Sequence, residues 1–401
     1  MSAQNAPADR TLHVCGPVRA TPHAAPKADC NGPHSATKAG RDTPHLAPKA
    51  ERGFASRSLA HLTIDFHCHV LTLAAEPLVA DRPQKQNESA VMLKSMGEAS
   101  VAHNNAVMLP HAFPKLTRVE ERLADMNAMG VDVQVLSPSP TQYYYWAERD
   151  LAQQLVCVQN EHIAEICAQH PERFVGLGTL ALQHPELATE QLEHAIRQLG
   201  LKGVEISTSV NAEELDASRL TPFWRKAEEL GAVIFIHPFG TTLGERVSTH
   251  YLSNIIGQPL ETTIALSHLI FGGVLDRFPG LRIVAAHGGG YLPSYCGRAN
   301  HGHAVRPEAN AGAKLRPVEY LRKMWFDTLV YDPGSLRHLV DVVGASQVVV
   351  GSDYPFDMGH YDPHGLLAAT QGLIPAELSA ILGGNAAGLL GLRARNSSPG
   401  P

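Results

Sequence analysis

From residue 61 onward, short apolar runs rich in β-branched residues alternate with longer stretches in which apolar side chains recur three and four positions apart. The first pattern is that of strands and the second that of amphipathic helices, and their alternation predicts parallel strands joined by crossover helices. Eight strands are predicted, at 62–67, 131–137, 174–180, 203–208, 232–237, 282–287, 324–330 and 348–353. Several are continuous apolar runs, as expected for strands covered on both faces. Clear helical periodicity falls at 118–129, 147–170 and 185–199. Eight such units favour an α/β chain closed into a (β/α)8, TIM-like barrel over an open sheet. The segment 70–115, after the first strand, is too long for an ordinary βα loop and is predicted to be an insertion that forms a lid or pocket wall.

The first 60 residues break this pattern. They are rich in Pro, Ala, His and Lys and nearly free of aromatic residues, and Thr21-Pro-His-Ala-Ala-Pro-Lys-Ala28 recurs as Thr43-Pro-His-Leu-Ala-Pro-Lys-Ala50. Such a segment lacks the apolar surface needed to offset ordering entropy, so 1–60 is expected to be a disordered arm, 61–392 the catalytic domain and 393–401 a flexible tail. The scattered histidines of the arm lack the close spacing of a metal-binding tract. Its start has no apolar core of a secretory signal.

Composition narrows the class. With 44% apolar and 18% charged residues and a net charge of -6, the chain reads as an ordinary globular protein without the basic field a nucleic-acid partner requires. No apolar stretch is long enough to span a membrane. Six cysteines, at 15, 30, 68, 157, 167 and 296, are too sparse for a disulfide scaffold, and a cytoplasmic location is expected.

The candidate chemistry sits where apolar runs stop. His67-Cys68-His69, His237-Pro238, His287-Gly288-Gly289-Gly290 and Asp353-Tyr354-Pro355 each close a predicted strand. In a barrel those ends converge on one mouth, so residues far apart in sequence reach one centre. His67 and His69 are two apart and therefore share a strand face, the condition for binding one ion together; two histidines filling a polar core is the bland alternative. His237 ends the run Val-Ile-Phe-Ile and is assigned as a third metal-binding imidazole, with a satisfied structural histidine as the alternative. Asp353 ends Val-Val-Val-Gly-Ser. A carboxylate there is costly to bury without a cation or hydrogen bonds, although Asp is also a favoured helix cap.

His67, His69, His237 and Asp353 suit one divalent metal with an open position, which leaves His287 to move a proton, with Asp353 the other member of the catalytic pair. A structural or ligand role for His287 stays open, and its three glycines are expected to let substrate approach the backbone. Phe239 and the cluster Tyr143-Tyr-Tyr-Trp146 can pack against a planar ring or serve as plain core.

Taken in order, Ile-Asp-Phe-His-Cys-His, Met-Gly-Val-Asp-Val-Gln-Val, His237-Pro, His287-Gly-Gly-Gly with Gly297-Arg298 beyond it, and Gly351-Ser-Asp-Tyr-Pro-Phe resemble the amidohydrolase superfamily. The resemblance is to the branch typified by aminocarboxymuconate-semialdehyde decarboxylase, over roughly residues 61–392. It implies a divalent metal, usually zinc and sometimes manganese, at His67, His69, His237 and Asp353, with His287 as acid/base. It also implies that Arg298 reaches a neighbouring subunit's site and holds a substrate carboxylate, hence at least a homodimer.

Two differences from the family pattern matter. The fourth strand, Val204-Glu-Ile-Ser-Thr, lacks the lysine that bridges two metals in binuclear relatives, so a mononuclear site is expected. The stretch 106–113 lacks the type enzyme's substrate-binding arginine. The expected activity is non-oxidative decarboxylation of an aromatic, heteroaromatic or ring-cleavage-derived acid. Hydrolysis of a lactone, amide or activated ring carbon is the alternative the same residues allow, and a noncatalytic binding protein the remote one.

Overall fold

The computed structural model describes residues 53–54 and 62–394. The expectations for residues 1–60 and 393–401 lie outside them, apart from a short parallel pairing of Gly53–Phe54 with Arg393–Ala394.

Eight parallel strands follow one another around a barrel: β1 (Ile64–Val70), β2 (Val133–Pro138), β3 (Phe174–Gly178), β4 (Gly203–Ile206), β5 (Val233–Ile236), β6 (Arg282–Ala285), β7 (Trp325–Asp327) and β8 (Val348–Val349). Each pairs with its predecessor. Closure comes from beyond the short last strand: Phe66 N–H donates to Val350 O at 2.7 Å and His69 N–H to Tyr354 O at 2.8 Å. The predicted (β/α)8 barrel is therefore present.

Helices α1 (Val119–Met129), α2 (Arg149–Gln169), α3 (Pro185–Arg197), α4 (Thr221–Leu230), α5 (Gln258–Phe271), α6 (Cys296–Val305) and α7 (Pro333–Val343) alternate with the strands. The first three match the periodic stretches read from the sequence to within two residues at each end. No helix among the described residues is long and apolar enough to cross a membrane.

The barrel interior is filled by Ile64, Phe66, Val133, Val135, Val175, Leu177, Val233, Phe235 and Val284, the branched and aromatic packing expected of this architecture. Strand β1 departs from simple alternation. Its register against β2 slips between Asp65 and Cys68, a bulge that re-aims side chains. Phe66 packs edge-on to Phe235 at 5.7 Å, and the next residue, His67, meets the same ring at 4.9 Å. Strand β1 also runs on to Val70 instead of stopping at 67, so both histidines are held by ladder hydrogen bonds. Strands β7 and β8 are shorter than predicted.

The insertion after β1 is helical, with Glu76–Val79, Pro83–Gln86, Glu88–Met96, Glu98–His103 and Leu109–Thr117 in succession. It is anchored to the barrel at several points. Glu76 accepts from the Tyr144 hydroxyl and the Gln142 amide, both at 2.7 Å. His103 Nε2 lies 3.1 Å from Asp357 Oδ2. Gly97 runs so close to the Ser248 carbonyl that a Cβ would stand 2.0 Å from it.

Candidate active site

The imidazoles of His67 and His69 are completely buried at the mouth of the barrel. His67 Nδ1 lies 2.7 Å from Asp327 Oδ2, and His69 Nδ1 lies 3.1 Å from the Pro138 carbonyl oxygen. A carbonyl oxygen only accepts, so His69 Nδ1 carries the hydrogen; the carboxylate imposes the same tautomer on His67. With both rings neutral, their Nε2 atoms, 3.2 Å apart, therefore present lone pairs to each other. Asp353 Oδ1 stands 3.3 Å and 3.2 Å from the same two atoms. Three acceptors at these separations repel unless a cation lies among them.

Further donors surround that point. Both ring nitrogens of buried His237 lack a hydrogen-bond partner, as do His287 Nδ1 and Asp353 Oδ1. The ring of His237 lies 4.9 Å from that of His67 and 4.8 Å from that of His69. Ligand atoms of His67, His237, His287 and Asp353 all fall within 4.8 Å of one another. Imidazole nitrogen and carboxylate oxygen, buried and unmet, are the donor set of a borderline divalent metal. The residues thus fit a single divalent ion.

The electrostatics agree. Burial alone would lower the His67 imidazole, but the charge of Asp353 and the hydrogen bond to Asp327 outweigh it, and with protons alone available the ring is lifted to about 10. Burial would raise Asp353, yet His67, His287 and His69 hold its carboxyl well below the usual range. Burial and the neighbouring imidazoles of His69 and His67 hold His237 well below its ordinary value, which keeps it a neutral ligand. Concentrated negative charge with a neutral imidazole beside it is a cation site.

The backbone is strained where the chemistry sits. His287 has φ 55° and Asp353 φ 57°, left-handed values that cost non-glycine residues about 1–3 kcal/mol each. The glycines after His287 are packed tightly, and Gly288 and Gly290 also line a cavity beside His287 and Asp353. At Gly289 a Cβ would stand 2.7 Å from the Phe326 ring, and at Gly290 2.0 Å from the Pro259 carbonyl. His287 differs from the paired histidines in access: its side chain keeps 14% exposure, whereas His67 and His69 keep none. Its Nε2 lies 3.7 Å from Asp353 Oδ2.

A second layer of residues, unassigned from the sequence, holds the first. Asp327 accepts from the backbone N–H groups of His287 at 2.9 Å and Gly288 at 2.8 Å in addition to meeting His67. Asp65 accepts from Ser352 N–H at 3.0 Å. Buried Arg122 donates to Gln134 Oε1 at 2.9 Å and to the His69 carbonyl, and its guanidinium lies 4.7 Å from the Tyr354 ring centre. Glu205 of β4, where no lysine occurs, is completely buried. Asp327 carries a signal of the kind that marked the ligands, a carboxylate ending the apolar run Met-Trp-Phe.

A cavity of about 620 Å³ opens beside His237, His287 and Asp353. Its floor and one wall are aromatic: Tyr143 stacks on Tyr145 at 5.5 Å and stands edge-on to Phe239 at 6.4 Å. The insertion lines it as well, through Val91, Met92, Ser95, Met96, Asn104 and Met108, so the segment predicted to form a lid or pocket wall does border the pocket. No lysine or arginine is among the described residues lining it. Arg298 lies on α6, exposed, and lines neither this cavity nor a neighbouring one of about 380 Å³. Within one chain the structure therefore brings together every predicted site residue except Arg298.

Comparison with known proteins agrees with this geometry. The amidohydrolase family model matches residues 64–392. A 2-amino-3-carboxymuconate-6-semialdehyde decarboxylase of Dictyostelium discoideum is 39% identical over 272 residues, covering 68% of this chain and 76% of that protein. Among solved structures, 5-carboxyvanillate decarboxylase from Sphingomonas paucimobilis superposes with a TM-score of 0.70 at 25% identity, over 83% of this chain and 99% of that one. The manganese-bound 5-carboxyvanillate decarboxylase of Novosphingobium aromaticivorans has the same fold, with a TM-score of 0.74 at 22% identity over 85% and 100% of the two chains.

Proposed function

This chain belongs to the amidohydrolase family, and from that premise we propose that it is a metal-dependent, non-oxidative carboxy-lyase acting on an aromatic, heteroaromatic or ring-cleavage-derived carboxylic acid. The observation that carries the reading is the facing pair of Nε2 lone pairs, 3.2 Å apart beside Asp353, at the end of an aromatic-walled cavity. The residues proposed to hold the ion are His67, His69, His237 and Asp353. Zinc suits three imidazoles and one carboxylate; manganese, bound in the Novosphingobium relative, is the competitor.

When bound, the ion supplies Lewis-acid stabilisation of negative charge developing on the substrate. The remaining steps belong to the protein. Tyr143, Tyr145 and Phe239 pack against the ring and set its plane. As the bond between ring carbon and carboxylate breaks, its electron pair stays on the carbon, carbon dioxide leaves, and His287 delivers a proton to that carbon. Solvent reaching the partly exposed His287 imidazole returns the proton. Asp353, 3.7 Å from His287 Nε2, orients the imidazole through the cycle.

A carboxylate needs a counter-charge, and the cavity lining offers no lysine or arginine of its own among the described residues. Arg298 of a second copy is the proposed source, through the bidentate pairing arginine makes with carboxylates, which makes the working unit a homodimer or larger homo-oligomer. A cytoplasmic small-molecule enzyme of a catabolic route completes the reading.

Metal analysis of the purified protein, followed by a screen of hydroxylated aromatic and pyridine carboxylic acids, tests it. Release of carbon dioxide with loss of one carboxyl group supports the carboxy-lyase. Addition of water without gas would instead make the chain a hydrolase.

A further inference from the structure

Glu205 has no task in the reaction described above, yet its side chain is completely buried at the level of the metal ligands. An ionised carboxylate in that position costs several kcal/mol unless polar partners surround it, and an apolar residue would fill the same space more cheaply. Its partners are informative. Oε1 accepts from the Tyr143 hydroxyl at 2.6 Å, and Oε2 accepts from the Ser137 hydroxyl. Oε2 also lies 3.5 Å from Nδ1 of His69, the nitrogen whose hydrogen goes to Pro138 O. The Tyr143 hydroxyl is in turn 3.3 Å from the carbonyl oxygen of His237.

One carboxylate therefore touches the imidazole of one metal ligand and, through Tyr143, the backbone of another. The same tyrosine forms the aromatic wall, stacked on Tyr145. A carboxyl oxygen facing His69 Nδ1 at 3.5 Å favours the tautomer that keeps Nε2 free as a ligand. A fixed acceptor for the Tyr143 hydroxyl removes the freedom of that ring to swing across the cavity.

We propose that Glu205 is a positioning residue that ties the metal ligand His69 to the ring-binding wall at Tyr143. This rests on the reading of His69 as a ligand and Tyr143 as substrate wall, but it does not depend on which acid is the substrate.

The test uses zinc alone, titrated into the full-length metal-free protein by chelator competition. Glu205→Gln keeps the shape and one acceptor but loses the charge, and zinc affinity should fall about tenfold or more. Tyr143→Phe should weaken zinc about two- to fivefold when Glu205 is present and have no further effect combined with Glu205→Gln, because both act through one network. The metal-free melting temperature should stay close to that of the parent; a merely structural carboxylate would lower it and leave zinc affinity alone.

Zinc affinity of Glu205→Gln within twofold of the parent overturns the proposal. Should that variant fail to fold, Tyr143→Phe and Ser137→Ala each remove a single donor, and unchanged zinc affinity in both overturns it equally. A failed decarboxylation screen would leave these binding measurements standing, so the two ideas fail separately.

Discussion

Asp327 Oδ2 lies 2.7 Å from His67 Nδ1, across 260 positions of sequence, with both side chains completely buried. The same carboxylate accepts the backbone N–H of His287 and of Gly288. One side chain thus fixes the tautomer of a metal ligand and the strained turn that presents the proton donor. Burial would raise this carboxyl, but its hydrogen bond to His67 and the charges of His67 and His287 outweigh that and hold it below the usual range.

Asp327→Asn should therefore damage the metal site although Asp327 is not among the proposed ligands. An amide can place its NH2 group toward His67 or toward the backbone donors, and either choice leaves a donor facing a donor. Zinc affinity should fall by about 10- to 100-fold, read by chelator competition. A variant that retains zinc as the parent does would remove Asp327 from the account.

His287 is separable from the ligands by what it leaves behind. His287→Asn should retain one equivalent of metal while kcat falls by about 10²- to 10⁴-fold, the usual worth of a general acid. His237→Ala, Asp353→Ala and His69→Ala should each lose the metal. The ligand atoms of His287 are close enough to His67, His237 and Asp353 to share an ion, so metal content is the deciding quantity. Metal lost from His287→Asn and kept by His69→Ala would exchange their roles.

Much of this site was legible because burying a polar group leaves a mark in one dimension. His237, His287 and Asp353 stand out as polar residues closing apolar runs, and the two-residue spacing of His67 and His69 survives in β1. Partnership leaves no such mark. Nothing local in Met-Trp-Phe-Asp says that its carboxylate meets His67, and Glu205 was conspicuous only for not being lysine. The slip between Asp65 and Cys68 was equally hidden, because two successive residues, Phe66 and His67, both face inward where strict alternation allows one. The glycines after His287 carry a packing demand that the sequence did not show: Phe326 and the Pro259 carbonyl leave no room for a Cβ at Gly289 and Gly290.

The anchor of the insertion should respond to acid. Burial would raise the Glu76 carboxyl, but the Tyr144 hydroxyl, Lys85 and Gln142 outweigh it and hold it below the usual range. A carboxyl depressed in the folded state contributes stability that is present above its unfolded value of about 4.3 and is lost as pH falls through the lower, folded value. Glu76→Gln should therefore loosen the insertion at neutral pH, seen as faster hydrogen exchange over 76–108, with the difference from the parent shrinking below about pH 4. A difference that widens in acid would reverse the sign and discard the anchor.

Arg298 offers the sharpest test of assembly, because it is exposed on its own chain while no lysine or arginine is among the described residues lining the cavity. If it completes a neighbour's site, Arg298→Ala and His287→Asn proteins should each be inactive alone but recover activity when mixed and allowed to exchange subunits. In a mixed dimer, the chain carrying Arg298→Ala keeps His287 and receives an intact arginine from its partner, so one of the two sites works. Random exchange of equal amounts makes half of the dimers mixed, and recovery should approach about a quarter of the parent activity. Mass spectrometry of the intact dimers reports whether exchange occurred. Mixed dimers without activity would mean that Arg298 does not act across the interface, and the substrate carboxylate would then have to be neutralised by the metal alone.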